Sequence, residues 1–188
     1  MMNSRMSLAN HLLIATPSLD LPYFEHSVIY VCEHQSHGTV GLMINRPTPH
    51  GLRLVFEQLQ IQPIHREKNQ APLLFGGPLQ PERGFVIHRP AGAWHSSLSL
   101  QPDVTITTSN DIIRAIADDR GPADALVALG YVAWLEHQVE NEIMQDAWMV
   151  CPFKAELMYD VPYANRWEAA GMSLGVNMNQ LTFGAGHA

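Results

Sequence analysis

Val28-Ile29-Tyr30-Val31-Cys32-Glu33-His34-Gln35-Ser36-His37-Gly38-Thr39-Val40-Gly41-Leu42-Met43-Ile44-Asn45 is the stretch on which the reading of the fold turns. Its first half, with Ser27 before it, is a nearly unbroken run of β-branched and aromatic residues, the pattern of a strand covered on both faces. Gln35-Ser36-His37-Gly38 carries turn chemistry, with Gly38 free to adopt positive φ. Thr39 to Asn45 then returns as a second strand. Arg46-Pro47-Thr48-Pro49 ends it, because neither proline can donate to a sheet ladder. A hairpin pairs its strands antiparallel, so the sheet is expected to be mixed or mostly antiparallel.

Outward from the hairpin, His11 to Ala15 reads as another central strand. Leu52, Val55, Phe56 and Leu59 mark one face of a helix that stops before Pro63. Ile64 to Gln70 is hydrophilic and reads as an exposed loop. Leu73-Leu74-Phe75 and Gly84 to His88 are short strands separated by Gly76-Gly77-Pro78 and a loop through Pro81-Glu82-Arg83. Val104-Thr105-Ile106-Thr107-Thr108 alternates, which predicts a strand with one wet or pocket-lining face. Ser109 or Asn110 caps a helix carrying Asp111, Ile112, Ile113 and Ile116, stopped by Gly121-Pro122. Ala125 to Val132 is a buried strand. Trp134 to Gln145, with Leu135, Val139 and Ile143 four apart, is a helix, and Trp148 to Cys151 a strand. Asn165 and Glu168 have capping-box spacing for a last helix lined by Trp167, Ala170, Gly171 and Leu174. The residues after Val176, like the first few, read as a flexible tail. The expectation is a single α+β domain over residues 1–188, with a bent sheet and about four helices.

The chain has 188 residues, 46% of them hydrophobic and 15% charged. That length buries roughly two-thirds of the unfolded surface, so neither a disulfide nor a metal is required for stability. Eleven Lys+Arg against eighteen Asp+Glu give a formal net charge of −7, which repels a phosphate backbone and disfavours nucleic-acid binding. Cys32 and Cys151 lie inside apolar runs and read as reduced, buried thiols. Neither a signal-peptide core nor a membrane-length apolar window is evident, so a cytoplasmic location is expected and no membrane partner.

Candidate chemistry is sparse. Cys32, His34 and His37 with Glu33 offer potential ligands, but Cys32 and His34 would share a strand face while His37 sits in the turn, and no second ligand cluster is suitably spaced. The same Cys32/Glu33/His34 cluster could supply an acid, base or nucleophile, the alternative enzymatic reading. Glu136 and Glu140, four apart, read as a solvated helix face. Ser96-Ser97 beside His95 is adjacency without triad geometry, and neither a nucleophile elbow nor a phosphate-binding glycine loop occurs. Catalytic residues, metal ligands and cofactor are therefore assigned to none. Above this background stand Asn45 and Arg46 at a strand end, and Gly76, Gly77 and Arg83 between strands. Glycines let backbone N–H groups approach an anion and arginine adds a bidentate fork, although tight-turn chemistry uses the same residues.

At these residues the sequence resembles the YqgE/AlgH family of bacterial proteins. The resemblance runs from about Ser7 to Ala188 through Asn10-His11-Leu12-Leu13-Ile14-Ala15-Thr16-Pro17, Val31-Cys32-Glu33-His34 and Gly41-Leu42-Met43-Ile44-Asn45-Arg46-Pro47. It continues in Phe75-Gly76-Gly77-Pro78, Glu82-Arg83-Gly84-Phe85, Thr107-Thr108-Ser109-Asn110-Asp111, Gly130-Tyr131, Trp134, Gln138, Glu142 and Asn165-Arg166-Trp167-Glu168-Ala169-Ala170. After Tyr131 this chain has Val132-Ala133 and Leu135-Glu136-His137 where the family usually carries extra glycines. The resemblance implies a compact α+β domain with a bent, partly barrel-like sheet. It brings no catalytic activity, cofactor or catalytic residues, and its label as a transcriptional regulator comes without a DNA-binding motif. No helix-turn-helix with a basic recognition helix is evident here. The expected function is non-enzymatic binding or regulation, with an unknown protein partner or a small anionic ligand at Asn45, Arg46, Gly76, Gly77 and Arg83.

Overall fold

The structure, a computed structural model, describes residues 6–183. Among them nine strands form one curled, half-barrel sheet: β1 His11–Ala15, β2 Val28–Gln35, β3 Gly38–Met43, β4 Leu73–Phe75, β5 Leu79–Arg89, β6 Ser97–Gln101, β7 Val104–Thr107, β8 Asp124–Leu135 and β9 Trp148–Pro152. Their order is β6-β7-β5-β8-β3-β2-β1-β9, antiparallel throughout, with β4 added to β8 in parallel. The helices are α1 Arg53–Gln58, α2 Asn110–Ala117, α3 Gln138–Met144, α4 Ala155–Tyr159 and α5 Arg166–Ser173.

Strand alternation divides the core into layers. Leu12, Ile14, Val28, Tyr30, Leu42, Ile44, Leu126 and Ala128 face the concave side, where Leu157 and Met158 of α4 and Trp167 and Ala170 of α5 pack on them. Leu13, Ala15, Ile29, Val31, Met43, Val132 and Trp134 face outward and are covered by Val139 of α3. Farther along the convex side, Val86 and Val127 meet Val55 and Phe56 of α1 and Ile112 and Ile113 of α2. The strands are apolar on both faces because both faces are covered. Helix α5 is pinned inside the curl by Trp167 Nε1–H, which donates to the Ala15 carbonyl at 2.8 Å, and by buried Arg166, which donates to the Ile44 and Val161 carbonyls.

Among the described residues the helices number five, against the about four expected, because the short α4 follows β9 without periodicity long enough to register. Trp134 and Leu135 belong to β8, not to a helix. They pair with Thr39 and Gly38, Leu135 is 78% exposed, and α3 begins only at Gln138. Beside the apolar contact of Val139 a polar one holds it to the sheet: Glu142 accepts the indole N–H groups of Trp134 and Trp148 at 2.9 and 2.8 Å. The loop through Pro81-Glu82-Arg83 is a wide bulge within β5, since Leu79 pairs with Tyr131 and the next partners are Gly84 and Leu129. Strand β6 escaped the sequence reading because Ser-Leu-Ser-Leu-Gln is short and mostly exposed. The tail after Val176 is also not free-running: Met178 is buried, its side chain within 2.2 Å of where a Cβ on Gly171 would stand. Residues 1–5 and 184–188 lie outside the described residues.

At Gly130 the backbone of β8 has φ +75°, and a Cβ there would lie 2.2 Å from the Gly77 carbonyl oxygen. Gly175 has nearly the same φ, +76°, with nothing within 4 Å of its missing Cβ. The pair separates conformational strain from steric collision. Gly175→Ala should cost about 1–2 kcal/mol for the left-handed backbone alone. Gly130→Ala should cost more than about 3 kcal/mol, because the obstacle is backbone that cannot turn aside. Urea denaturation of the two variants measures the difference.

Candidate functional site

Helices α4 and α5 fill one end of the concave face; the other end is open as a cavity of about 500 Å³. Two irregularities in the strands shape it. In β2, Val31 pairs with Gly41 and Glu33 with Val40, so Cys32 is an extra residue with no partner across the ladder. Such a bulge interrupts the alternation. Cys32 and Glu33 therefore both line the cavity, while His34 lies on the other side. There His34 Nδ1 is 2.8 Å from Thr39 Oγ1, and Nε2 is 3.7 Å from Glu140 Oε1. The expectation that Cys32 and His34 share a face is thus corrected by the bulge. In β8, Gly130 acts in the same way: Leu126 and Ala128 face the concave side, Val127 and Leu129 the convex one, and beyond Gly130 it is Tyr131 that turns inward.

The remaining walls come from Val40 and Leu42 of β3, Phe85 of β5, Leu98 and Leu100 of β6 and Ile106 of β7. Phe85 and Tyr131 meet edge to face at 6.1 Å between ring centres. Ser96, Ser97 and Thr108 add hydroxyls. Strand β6 pairs with β7 alone, so its second edge is unpaired among the described residues, and Leu98 beside it is 64% exposed. This edge is the open rim of the cavity.

Two charged groups line the cavity. The Arg83 guanidinium lies 5.2 Å from the centre of the Phe85 ring and makes no ion pair or hydrogen bond among the described residues. Glu33 has the His37 Nε2 3.9 Å from its carboxylate, with the His37 side chain in solvent and that of Glu33 about half-exposed. The Cys32 thiol is pushed up to about 12, first by burial and then by the Glu33 carboxylate. It is neutral at physiological pH, the opposite of an activated nucleophile. At the rim, His95 Nδ1 lies 3.3 Å from Asp111 Oδ2, but the nearby Ser109 hydroxyl donates to the same carboxylate rather than to the imidazole. Among the described residues no three His, Cys, Asp or Glu side chains are grouped to hold a metal.

The five residues singled out from sequence occupy three places. Arg83 lies in the concave cavity. Asn45 and Arg46 border a polar hollow of about 250 Å³ beside the stacked rings of His26 and Trp167, whose centres are 4.0 Å apart. They are occupied with backbone: Asn45 Oδ1 accepts the Val28 N–H at 2.9 Å and its Nδ2 donates to the His26 carbonyl, while Arg46 donates to the Tyr23 and Glu25 carbonyls. Gly76 and Gly77 cross β8 where side chains cannot fit, with a Cβ on Gly76 falling 2.3 Å from the Gly130 oxygen. The apolar wall residues Phe85, Leu98, Leu100 and Tyr131 were missed; only the alternation through Ile106 and Thr108 signalled a pocket-lining strand.

The AlgH-like family model matches residues 12–179. A UPF0301 protein of Legionella pneumophila strain Corby is 65% identical over 182 residues, covering 97% of each chain, and one of Thioalkalivibrio sulfidiphilus is 43% identical over 187, covering each chain completely. The solution structure of the AlgH protein from Pseudomonas aeruginosa is 38% identical, covers 100% of both chains and superposes with a TM-score of 0.81. A crystal structure from Corynebacterium diphtheriae, 19% identical over 97% of this chain and 94% of its own, shares the fold with a TM-score of 0.72. The half-barrel and its cavity therefore stand on a chain that belongs to the AlgH-like family.

Proposed function

We propose that this is a non-enzymatic binding protein whose small anionic ligand occupies the concave cavity. The observation that carries the reading is Arg83: an unpaired guanidinium, held over an aromatic ring at the wall of a largely apolar cavity. A guanidinium so placed offers a bidentate donor fork to a carboxylate, sulfonate or phosphate. The body of the ligand is apolar, to match Val40, Leu42, Phe85, Leu98, Leu100 and Ile106. Glu33 favours a ligand with a hydrogen-bond donor distant from its acidic group. Any regulatory role acts through the liganded protein on a partner in the cytoplasm, and the net charge of −7 argues against direct contact with DNA. Among the described residues no helix is long and apolar enough to cross a membrane.

Anilinonaphthalene sulfonate, an aromatic sulfonate, is a suitable fluorescent probe. It should bind the native protein and be displaced by decanoate. A charge-assisted hydrogen bond is worth about 1.5–3 kcal/mol, so Arg83→Ala should weaken probe binding roughly ten- to a hundredfold, and Arg83→Lys by less. Unchanged binding to Arg83→Ala would remove the cavity as the site.

The enzymatic alternative, Cys32 with Glu33 and His34, loses its base to the opposite side of the sheet. With its thiol near 12, Cys32 should react with iodoacetamide at pH 8 at least about a hundredfold more slowly in the folded protein than in urea. Mass spectrometry of the time course reads this directly, and rapid single labelling of Cys32 would restore the nucleophile.

A further inference from the structure

A second, separate feature lies between the turn that follows β3 and the short helical turn at Arg66–Gln70. The two segments are clamped backbone to backbone: Leu52 N–H donates to the Ala71 carbonyl at 2.8 Å and Thr48 N–H to the Leu73 carbonyl at 2.7 Å. Gly51, at φ +61°, allows the approach, since a Cβ there would lie 2.7 Å from the Asn69 oxygen. Between them is a depression of about 520 Å³, rigid because three prolines and this clamp form its walls.

Its lining is unusual for an acidic chain. Thr48, His50, Arg53, Arg66, Asn69 and Gln70 supply every polar group, and no Asp or Glu lines it, although acids outnumber Lys and Arg eighteen to eleven. Arg53 is tied through Nε to Glu57 at 2.7 Å. The side chains of Arg66, Asn69 and Gln70 form no ion pair or hydrogen bond among the described residues, while the Thr48 hydroxyl is sealed in the wall behind them. An exposed guanidinium and two side-chain amides without protein partners around one preformed hollow offer donors to an acceptor.

We propose that this depression binds a phosphate-type oxyanion, with Arg66 as its principal ligand and His50, Asn69 and Gln70 as supporting donors. The number of donors decides the class. A carboxylate has two oxygens to share, whereas a phosphate group presents three or more and can meet an arginine fork and two amides together. The site is independent of the concave cavity and shares no lining residue with it. The phosphate could be free or carried on a nucleotide, and the test separates the two.

The experiment is an amide NMR titration of the full chain with inorganic pyrophosphate and with AMP, at constant ionic strength and with sodium chloride as control. Saturable shifts should appear at Gly51, Asn69 and Gln70 with at least one ligand. In Arg66→Ala the affinity should fall about tenfold or more while anilinonaphthalene sulfonate binding stays unchanged. AMP much tighter than pyrophosphate assigns a nucleotide, and the reverse assigns the bare oxyanion. The proposal is overturned by shifts that chloride reproduces, by absence of saturation below about 10 mM, or by equal affinity in Arg66→Ala.

Discussion

The crossing of Gly76-Gly77 over Gly130 is the constraint on which the rest of the architecture depends. Strand β8 pairs on one edge with β4 as far as Leu129 and with β3 from Val132 onward, so the strand changes partner around Gly130. Gly76 spans the gap: its N–H donates to the Leu129 carbonyl and its carbonyl accepts from Met43 of β3, both at 2.8 Å. Two backbones this close leave no room for a Cβ on either side. The handover lets one long strand belong to both halves of the sheet, and the positive φ at Gly130 turns Tyr131 to the concave side. Without it the sheet would lose the hinge about which it curls.

Curling creates an interior that must be filled or wetted. Helices α4 and α5 fill one end with Leu157, Met158, Trp167 and Ala170, pinned by the Trp167 indole and the Arg166 guanidinium. Among the described residues nothing equivalent covers the end formed by β2, β3, β5, β6 and β7. There the second bulge, at Cys32, brings two consecutive residues to the cavity and places a carboxylate among apolar walls. Both irregularities turn side chains toward the cavity, as bulges re-aim the residues beside them.

The hairpin, the strand at His11 to Ala15, the helix after Ser109 and the antiparallel class were legible because each rests on local periodicity or turn chemistry, although the Ser109 hydroxyl bonds Asp111 and makes no cap bond to the helix backbone. The extension of β8 to Leu135 was not, since Leu135, Val139 and Ile143 mimic a helical stripe although Leu135 is exposed and paired with Gly38. Asn45-Arg46 and Gly76-Gly77 were legible as special residues but ambiguous in purpose. Glycine beside arginine describes an anion cradle and a tight backbone crossing equally well, and only the contacts separate the two. The sequence could not place Cys32 and His34 on opposite sides, because a bulge depends on cross-strand register, and Val40 opposite Glu33 leaves no local mark. Arg83 was singled out from sequence, but its aromatic support, two residues on at Phe85, was not.

The proposed ligand site is the open end of the half-barrel. Methyl NMR with an apolar carboxylate such as decanoate tests it most directly. Binding there should give shifts and intermolecular contacts at Val40, Leu98, Leu100 and Ile106, while Val55 and Ile112 on the inner faces of the outer helices stay unmoved. Shifts confined to the outer face, or none at saturating decanoate, would contradict it.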